Sequence, residues 1–260
     1  MDLQLEGKRA VVTGGSRGIG LAAARALAAE GCDVALVARG AQALEEAAAS
    51  VAAQSGRTAV AIPADTGADD SVARMAREAI ARLGGVDVLV NAAARPNRGT
   101  GITEDDLEFE LNVKLRGYLR CARALAPEMA ARGWGRIVNV SGLAARNTGS
   151  IVGSVRNVAV AAMTKNLAEE LGPQGINVTV VHPGMTVTEA TAGRLEAIAR
   201  QRGTTPEEAR AQMAASVSIG RLVTAEEVAW VIAFLASPRS VAINGDAVVA
   251  GGGQRGTIHY

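Results

Sequence analysis

Short runs of β-branched and other apolar residues alternate along the chain with longer alanine-rich segments of helical periodicity. The apolar runs are continuous, which is typical of strands covered on both faces in a parallel sheet. The pattern predicts strands at Arg9–Thr13, Asp33–Ala38, Thr58–Pro63, Val86–Asn91, Arg136–Val140, Asn177–His182 and Ala247–Ala250. It predicts helices at Ile19–Ala29, Ala41–Gln54, Ala68–Arg82, Asp105–Arg132, Gly153–Leu171 and Ala225–Ala236.

This alternation predicts a doubly wound α/β fold, in which a seven-stranded parallel sheet carries helices on both faces of one Rossmann-type domain. No linker or internal repeat divides the sequence, so we expect a single domain over residues 1–260. The least regular part is the segment 186–220, which contains two short helical stretches, Arg194–Arg202 and Pro206–Ala215. An insertion at this place predicts a lid over a site at the strand ends.

Composition narrows the classes of partner. Hydrophobic residues make up 48% of the chain and the net charge is +1, which excludes disorder and favours neither nucleic acid nor an anionic membrane as partner. Two cysteines, Cys32 and Cys121, are too few for a disulfide framework. No apolar run reaches the roughly 18 residues of a membrane span, and the N-terminus lacks a secretion signal. We therefore expect a cytoplasmic protein with a small-molecule substrate.

A glycine-rich turn connects the first predicted strand to the first predicted helix. Such a turn offers backbone N–H groups and the positive end of the helix dipole, and glycine lets a pyrophosphate approach the backbone closely. The strand–turn–helix context predicts a dinucleotide site, the alternative being an ordinary glycine-rich connection. The turn consists of Thr13, Gly14, Gly15, Ser16, Arg17, Gly18, Ile19 and Gly20.

The end of the second predicted strand bears on the choice of dinucleotide. An NAD site usually has Asp or Glu there to bind the ribose diol. Here the strand runs into Arg39 without a carboxylate, and Arg17 lies in the glycine turn. Two guanidinium groups suit a 2′-phosphate, so we predict NADP(H) in preference to NAD(H). The alternative is that both arginines are solvated surface residues.

Several separated motifs, in the correct order, resemble those of the short-chain dehydrogenase/reductase family. The glycine turn matches the family's Thr-Gly-x-x-x-Gly-x-Gly motif. The stretch 87–94 resembles one that ends Asn-Asn-Ala-Gly in the family, from which it departs at Ala92 and Ala94. Lys165–Leu171 resembles the end of the family's long helix, and Pro183–Thr188 resembles its nicotinamide loop.

The resemblance extends over residues 5–253 and implies hydride transfer between NAD(P)(H) and an alcohol or carbonyl. It also implies a homotetramer or a homodimer. No group of residues predicts a metal site. Besides the glycine turn and Arg39, the resemblance implies cofactor contacts at Asp65, Thr66, Asn91, Ala92, Ala93, Pro183, Gly184, Thr186 and Thr188.

The chain departs from the family's catalytic pattern. In the family a Tyr-x-x-x-Lys pair moves the proton, because the ammonium lowers the pKa of the phenol. Counting back from Lys165 places the Tyr position at Gly153 and the Lys position at Asn157. No tyrosine lies between Tyr118 and Tyr260, so a shifted alignment does not restore the pair.

The family's other two catalytic positions are also altered. The Ser position falls on Gly142, with Ser141 before it, and the Asn position falls on Lys114, with Asn112 as the alternative. We take Ser141, Lys114 and Asn157 as candidate catalytic residues. Two of them have a structural interpretation as well, Lys114 as a lysine on a helix surface and Ser141 as a serine at a strand end.

A few other residues are candidates for a replacement acid. His182 ends the sixth predicted strand, where it either titrates or packs. Arg156 is expected to point elsewhere on its helix and is a poor acid, and Tyr118 is expected to pack within its helix. His259 and Tyr260 end a tail that is either disordered or reaches the site of a partner subunit.

Loss of a general acid costs about 10²–10⁴ in rate, which disfavours a simple ketone as the substrate. The sequence therefore favours an NADP(H)-dependent oxidoreductase acting on an activated carbonyl, a conjugated enone, a quinoid ring or an iminium-like group. Two alternatives stay open. One is a protein that binds NADP(H) without turnover, and the other is a lyase or isomerase that reuses the pocket.

Overall fold

The computed structural model describes residues 1–94 and 103–255, which form one α/β domain. Seven strands form a parallel sheet in the order β3-β2-β1-β4-β5-β6-β9, and β7 pairs with β8 separately. The strands are β1 (Arg9–Thr13), β2 (Asp33–Ala38), β3 (Ala59–Pro63), β4 (Val88–Asn91), β5 (Gly135–Val140), β6 (Ile176–Pro183), β7 (Thr186–Val187), β8 (Val223–Thr224) and β9 (Ala247–Ala250). The predicted Rossmann-type fold with seven parallel strands is confirmed.

Helices cover both faces of this sheet. They are α1 (Gly18–Ala29), α2 (Ala41–Ser55), α3 (Asp69–Leu83), α4 (Glu104–Glu110), α5 (Gly117–Ala130), α6 (Ile151–Leu171), α7 (Thr191–Arg202), α8 (Pro206–Ala215) and α9 (Ala225–Ala236). Apolar side chains of α1, α2 and α9 pack on one face, and those of α3, α5 and α6 pack on the other. Because both faces are covered, the strands carry continuous apolar runs, and the hydrophobic pattern located them.

The chain order of the strands reverses between β1 and β4, which are neighbours in the sheet. Open α/β sheets bind ligands outside the carboxyl ends of their strands at such a switch point. Thr13, the last residue of β1, pairs in register with Asn91, the last residue of β4. The turn after β1 and the loop after β4 therefore start side by side at this edge.

The helix predicted at Asp105–Arg132 is not one continuous α-helix. A π-helical turn, Leu111–Arg116, joins α4 to α5. α4 begins with a capping box. The Thr103 hydroxyl accepts a hydrogen bond from the backbone N–H of Asp106, and the Asp106 carboxylate accepts one from the backbone N–H of Thr103. A π-helical turn carries one residue more than an α-helical turn and occurs frequently at functional sites. The hydrophobic pattern did not reveal it, because helical spacing resumes on both sides.

The segment 186–220 contains α7 and α8, which pack on each other through Leu195, Ala199 and Ala209. α8 coincides with the predicted helical stretch, whereas α7 begins earlier than predicted. An isolated antiparallel bridge between Val217 and Gln254 connects the end of this segment to the last described residues of the chain. The end of the segment thus lies beside the residues that follow β9.

Within residues 1–94 and 103–255, no helix combines the length and the apolar character that a membrane span requires. Cys32 and Cys121 are both buried free thiols. Each packs in the core, Cys32 with the α1 face and Cys121 with the α5 face of the sheet.

Candidate active site

Glycines are required in the turn after β1 because the backbone passes close to other backbone. Gly14 and Gly18 have φ angles of +69° and +57°, in the left-handed region that favours glycine. A Cβ atom on Gly20 would lie 2.3 Å from the carbonyl oxygen of Gly14, and one on Gly14 would lie 2.7 Å from that of Ala92. The turn is therefore a tight backbone cradle at the N-terminus of α1.

The loop after β4 is fastened to this cradle through the hydroxyl group of Thr13. Thr13 Oγ1 accepts hydrogen bonds from the backbone N–H groups of Ala92 (3.1 Å) and Ala93 (3.3 Å). Asn91 is fully buried, and its Nδ2 donates to Oδ1 of Asn139 (3.0 Å). The predicted residues Ala92 and Ala93 therefore border the cradle, while the Asn91 side chain points into the sheet and positions β4 against β5.

The two arginines predicted to bind a 2′-phosphate lie on two segments that meet at the glycine turn. Arg17 is exposed and precedes α1, whereas Ser16 and Ile19 beside it are half-buried. The backbone N–H of Gly15 donates to the carbonyl of Val37 (3.1 Å), which brings the end of β2 against the turn. Arg39 follows the end of β2 and is exposed. Both arginines are thus exposed, one in the glycine turn and one directly after the strand that contacts it.

The loop after β3 holds the next two predicted residues. Asp65 is exposed, and its Oδ1 accepts from the backbone N–H of Gly67 (2.8 Å). Thr66 is buried and contacts the backbone of Gly117 at the start of α5, where a Cβ would lie 3.0 Å from the Thr66 carbonyl oxygen. The loop is therefore held against Gly117 at the start of α5.

The loop after β6 closes the cradle from the other side. Pro183 ends β6, and Thr186 Oγ1 donates to the carbonyl of Gly184 (3.1 Å). The Thr188 backbone N–H donates to Thr191 Oγ1 (2.7 Å) at the start of α7. These bonds hold the predicted residues Pro183, Gly184, Thr186 and Thr188 in one compact loop.

A carboxylate from this loop lies at the anion-binding end of α1. Glu189 Oε2 accepts a hydrogen bond from the backbone N–H of Gly18 (3.1 Å). An anion is stabilised there by the helix dipole and the free N–H groups, so the carboxylate stands where a phosphate oxygen fits. The glycine cradle and this stand-in anion show that the residues present fit a dinucleotide. Sequence reasoning missed Glu189, although its place directly after the Pro183–Thr188 motif was a usable signal.

The candidate catalytic residues form a polar wall between β5 and α6. Gly153 and Asn157 lie one turn apart on α6, and both are buried. Ser141 Oγ donates to the backbone carbonyl of Asn157 (3.1 Å). Lys114 Nζ donates to the backbone carbonyl of Ser141 (2.8 Å). All three predicted catalytic candidates are therefore brought together.

One peptide group in this wall is held at both ends. The carbonyl of Ser141 accepts from Lys114, and the N–H of Gly142, which belongs to the same peptide group, donates to Nδ1 of His182 at 3.4 Å. His182 is buried at the end of β6. The ammonium of Lys114 and the imidazole of His182 are thereby linked through a single backbone amide.

Two expectations about this wall were wrong. Lys114 is not on a helix surface, because only 3% of it is exposed. Arg156 does not point away from the site, because its guanidinium is buried in an ion pair with Glu110, the last residue of α4. Burial and the charge of Arg156 lower the pKa of Lys114 to about 7, while Glu110 acts in the opposite direction.

Two further residues lie elsewhere than expected. Asn112 does not face the polar wall, because its Nδ2 donates to the carbonyl of Gly67 (3.2 Å) and its Oδ1 accepts from Arg120 (2.9 Å). Tyr118 reaches beyond its own helix, where its hydroxyl donates to the carbonyl of Val140 (3.0 Å) and burial raises its pKa. His259 and Tyr260 lie outside the described residues.

Comparisons with known proteins agree with this geometry. The family model described as enoyl-(acyl carrier protein) reductase matches residues 14–255. The short-chain reductase protein NovJ of Streptomyces niveus is 36% identical over 248 residues, which cover 94% of this chain and 93% of that protein.

Solved structures share the whole fold. The chain is similar to L-sorbose reductase from Gluconobacter frateurii, complexed with NADPH and L-sorbose, with a TM-score of 0.93, 30% identity, and coverage of 99% of this chain and 100% of that chain. It is also similar to an NAD⁺-bound xylitol dehydrogenase, with a TM-score of 0.89, 28% identity, and coverage of 96% and 100%. From the matched motifs, the shared architecture and these relatives, the chain belongs to the short-chain dehydrogenase/reductase family.

Proposed function

We propose that this protein is an NADP(H)-dependent oxidoreductase whose acceptor is chemically activated: an enone, a quinoid ring, an iminium-like group or an activated carbonyl. The observation that carries the proposal is a contrast within one site. The dinucleotide cradle is complete, whereas Gly153 and Asn157 stand on α6 where the family pattern has its Tyr and Lys. We infer that the chain is a divergent family member without that acid–base pair.

The choice of acceptor follows from the chemistry of the missing phenol. Bound NADPH would supply a hydride, and a simple ketone that receives one becomes an alkoxide that needs a proton at once. A phenol at Gly153 would provide it, but glycine offers no proton. An acceptor that spreads the incoming electron pair over a conjugated system needs a weaker acid, so such acceptors suit this wall.

The preference for NADP(H) rests on Arg17 and Arg39. Both are exposed beside the cradle, and the end of β2 carries no carboxylate to bind a ribose diol. Relatives differ in this respect, since the L-sorbose reductase structure holds NADPH and the xylitol dehydrogenase structure holds NAD⁺. A planar guanidinium pairs well with phosphate oxygens, which favours the phosphorylated cofactor.

The cofactor preference is tested by thermal shift with NADPH and NADH at equal concentrations. NADPH is expected to raise the Tm more than NADH does, because it binds the folded state more tightly. Arg39→Ala is expected to remove most of that difference. The matched control is Arg77→Ala, which removes an exposed arginine from α3. Equal shifts with the two cofactors in the unaltered protein would refute the 2′-phosphate assignment.

The reaction is tested by NADPH oxidation with matched acceptors, namely cyclohexanone, 2-cyclohexenone, a benzoquinone and a cyclic imine. We expect turnover of one or more activated acceptors and little turnover of cyclohexanone. Cofactor binding without oxidation by any acceptor would favour the second candidate, a protein that binds NADP(H) without turning it over. Fast reduction of cyclohexanone would contradict the argument from the missing phenol.

We further propose that the segment 186–220 is the lid of this site, since its first residues form the loop over the cradle and Glu189 contacts Gly18. A small-molecule substrate fits the family. The homotetramer or homodimer and the cytoplasmic location stay predictions.

A further inference from the structure

We propose that Lys114 is the proton donor to the acceptor and that the buried Arg156–Glu110 pair positions it. The inference rests on the proposed function and adds the group that replaces the phenol. The sections of chain that meet at Lys114 are the π-helical turn, the end of β5 and the inner face of α6.

The first argument is the geometry of the Lys114 amine. It lies in the polar wall and donates to the carbonyl of Ser141 (2.8 Å), which leaves further N–H donors of the ammonium for an acceptor. Asn157 is 3% exposed, and its Oδ1 has no hydrogen-bond partner among residues 1–94 and 103–255. A buried amide oxygen without a partner is costly, so it points to a water or substrate group that the wall holds when loaded.

The second argument is the set of charges around this amine. Arg156 faces it from α6 and Glu110 faces it from α4, and these two form a buried ion pair. From the other elements, Tyr118 on α5 and His182 on β6 reach the same wall. Desolvation and Arg156 together bring the pKa of Lys114 to about 7, where an acid is most effective at neutral pH.

The third argument is that the other hydroxyl and guanidinium groups of the wall are committed elsewhere. The Tyr118 hydroxyl donates to the carbonyl of Val140, and the Ser141 hydroxyl donates to the carbonyl of Asn157. The Arg156 guanidinium is held in its ion pair with Glu110. His182 accepts from Gly142, and its role is separated from that of Lys114 by the experiment below.

Lys114 and Asn157 differ from the family pattern in a related way. The family's Asn position holds Lys114 and its Lys position holds Asn157, so the amide and the ammonium have exchanged places. The positive charge therefore stays in the wall, and the residue that carries it belongs to the π-helical turn instead of α6. No tyrosine lies on α6, and the lysine itself carries the proton.

The step balances for an enone. Bound NADPH would supply a hydride with its electron pair to the β-carbon. The C=C π pair would then form the new C=C bond to the carbonyl carbon, and the C=O π pair would move onto oxygen. The N–H bond at Lys114 Nζ breaks, its electron pair stays on nitrogen, and the proton bonds to that oxygen. The neutral amine then takes a proton from water.

Direct titration of Lys114 is the first test, and it needs no turnover. The chain has three lysines, Lys8, Lys114 and Lys165, so ¹⁵N-lysine labelling of the full protein yields a small set of side-chain signals. The signal lost in Lys114→Met identifies Lys114. We expect it to titrate near pH 7, and to titrate at lower pH in Glu110→Gln, because that change removes the carboxylate that raises its pKa. A titration above pH 9 would overturn the proposal.

The second test compares kcat/KM for the best activated acceptor across pH. In the unaltered protein it is expected to fall as pH rises through about 7, because the acid must be protonated. Lys114→Met and Lys114→Arg are each expected to lose about 10²-fold and to lose this limb, since arginine keeps the charge but gives no proton. Both variants should keep the NADPH-induced rise in Tm, which shows an intact cradle.

The outcomes separate the two proposals. If none of the tested acceptors is reduced by NADPH in the presence of the unaltered protein, the proposed function is refuted. If the unaltered protein is active and its Lys114→Arg variant keeps full activity, Lys114 is not the proton donor. The proposed function is not affected by that outcome. If the pH limb disappears in His182→Gln and persists in Lys114→Met, the donor is His182 and the inference is wrong. A pH limb that does not move in Glu110→Gln refutes the positioning role of the ion pair.

Discussion

The burial of Lys114 predicts a dependence of stability on pH that a single substitution removes. In the unfolded chain its pKa returns to about 10.5, whereas in the folded protein it is about 7. Between these values the unfolded chain binds the proton and the folded protein does not, so the free energy of unfolding rises with pH. Below pH 7 the folded protein carries the full cost of a buried ammonium, and above pH 10.5 none of that cost remains.

The size of the effect follows from the two pKa values of Lys114. One pKa unit corresponds to about 1.4 kcal/mol, so the full cost is on the order of 5 kcal/mol. Between pH 6 and pH 9 about 3 kcal/mol of it is relieved. Lys114→Met keeps a long apolar side chain in the same space but has no proton to bind. Its free energy of unfolding should therefore lack this rise and exceed that of the unaltered protein most clearly at pH 6.

The assay is urea unfolding followed by tryptophan fluorescence at intervals from pH 6 to pH 9, at one protein concentration. The control is Lys165→Met, because Lys165 is exposed, pairs with Glu169 and has a raised pKa, which leaves it charged throughout this range. The control should keep the pH dependence of the unaltered protein. Parallel curves for Lys114→Met and the unaltered protein would show that the ammonium is not desolvated, and the reasoning would fail.

Two further changes test the cofactor cradle. Glu189→Gln removes the charge that competes at the N–H of Gly18, so the Kd for NADPH should fall about 2–5-fold in a fluorescence titration, with Glu207→Gln as an exposed control; an unchanged Kd would contradict the competition. Gly20→Ala places a Cβ 2.3 Å from the carbonyl oxygen of Gly14, so the NADPH-induced rise in Tm should be lost, and a normal rise would contradict the close approach.

Much of the fold and the cradle followed from local sequence signals. Continuous apolar runs located the strands because parallel strands are buried on both faces. The glycine turn was recognisable because strand, turn and helix follow one another directly along the chain. Cofactor motifs of this kind lie within short segments, so their residues could be named from the sequence, although contacts such as that of Thr13 with Ala92 place them in the fold.

The polar wall was harder to predict because its properties arise from distant contacts. Lys114 has the sequence neighbours of a surface lysine, and its burial depends on a π-helical turn that apolar spacing did not indicate. Arg156 turns inward because Glu110, on another helix, offers a buried carboxylate. The position of Glu189 over Gly18 likewise depends on how the loop after β6 folds back on α1.

The π-helical turn Leu111–Arg116 is equivalent to a single-residue insertion in an otherwise continuous helix. Residues before such an insertion are rotated by about 100° relative to those after it, since an α-helix turns by that angle per residue. The direction in which Glu110 faces therefore depends on the number of residues between it and α5. It meets Arg156 because one extra residue lies in that interval. Shortening the turn by one residue would leave α5 in register with the sheet while turning Glu110 toward another side of the helix.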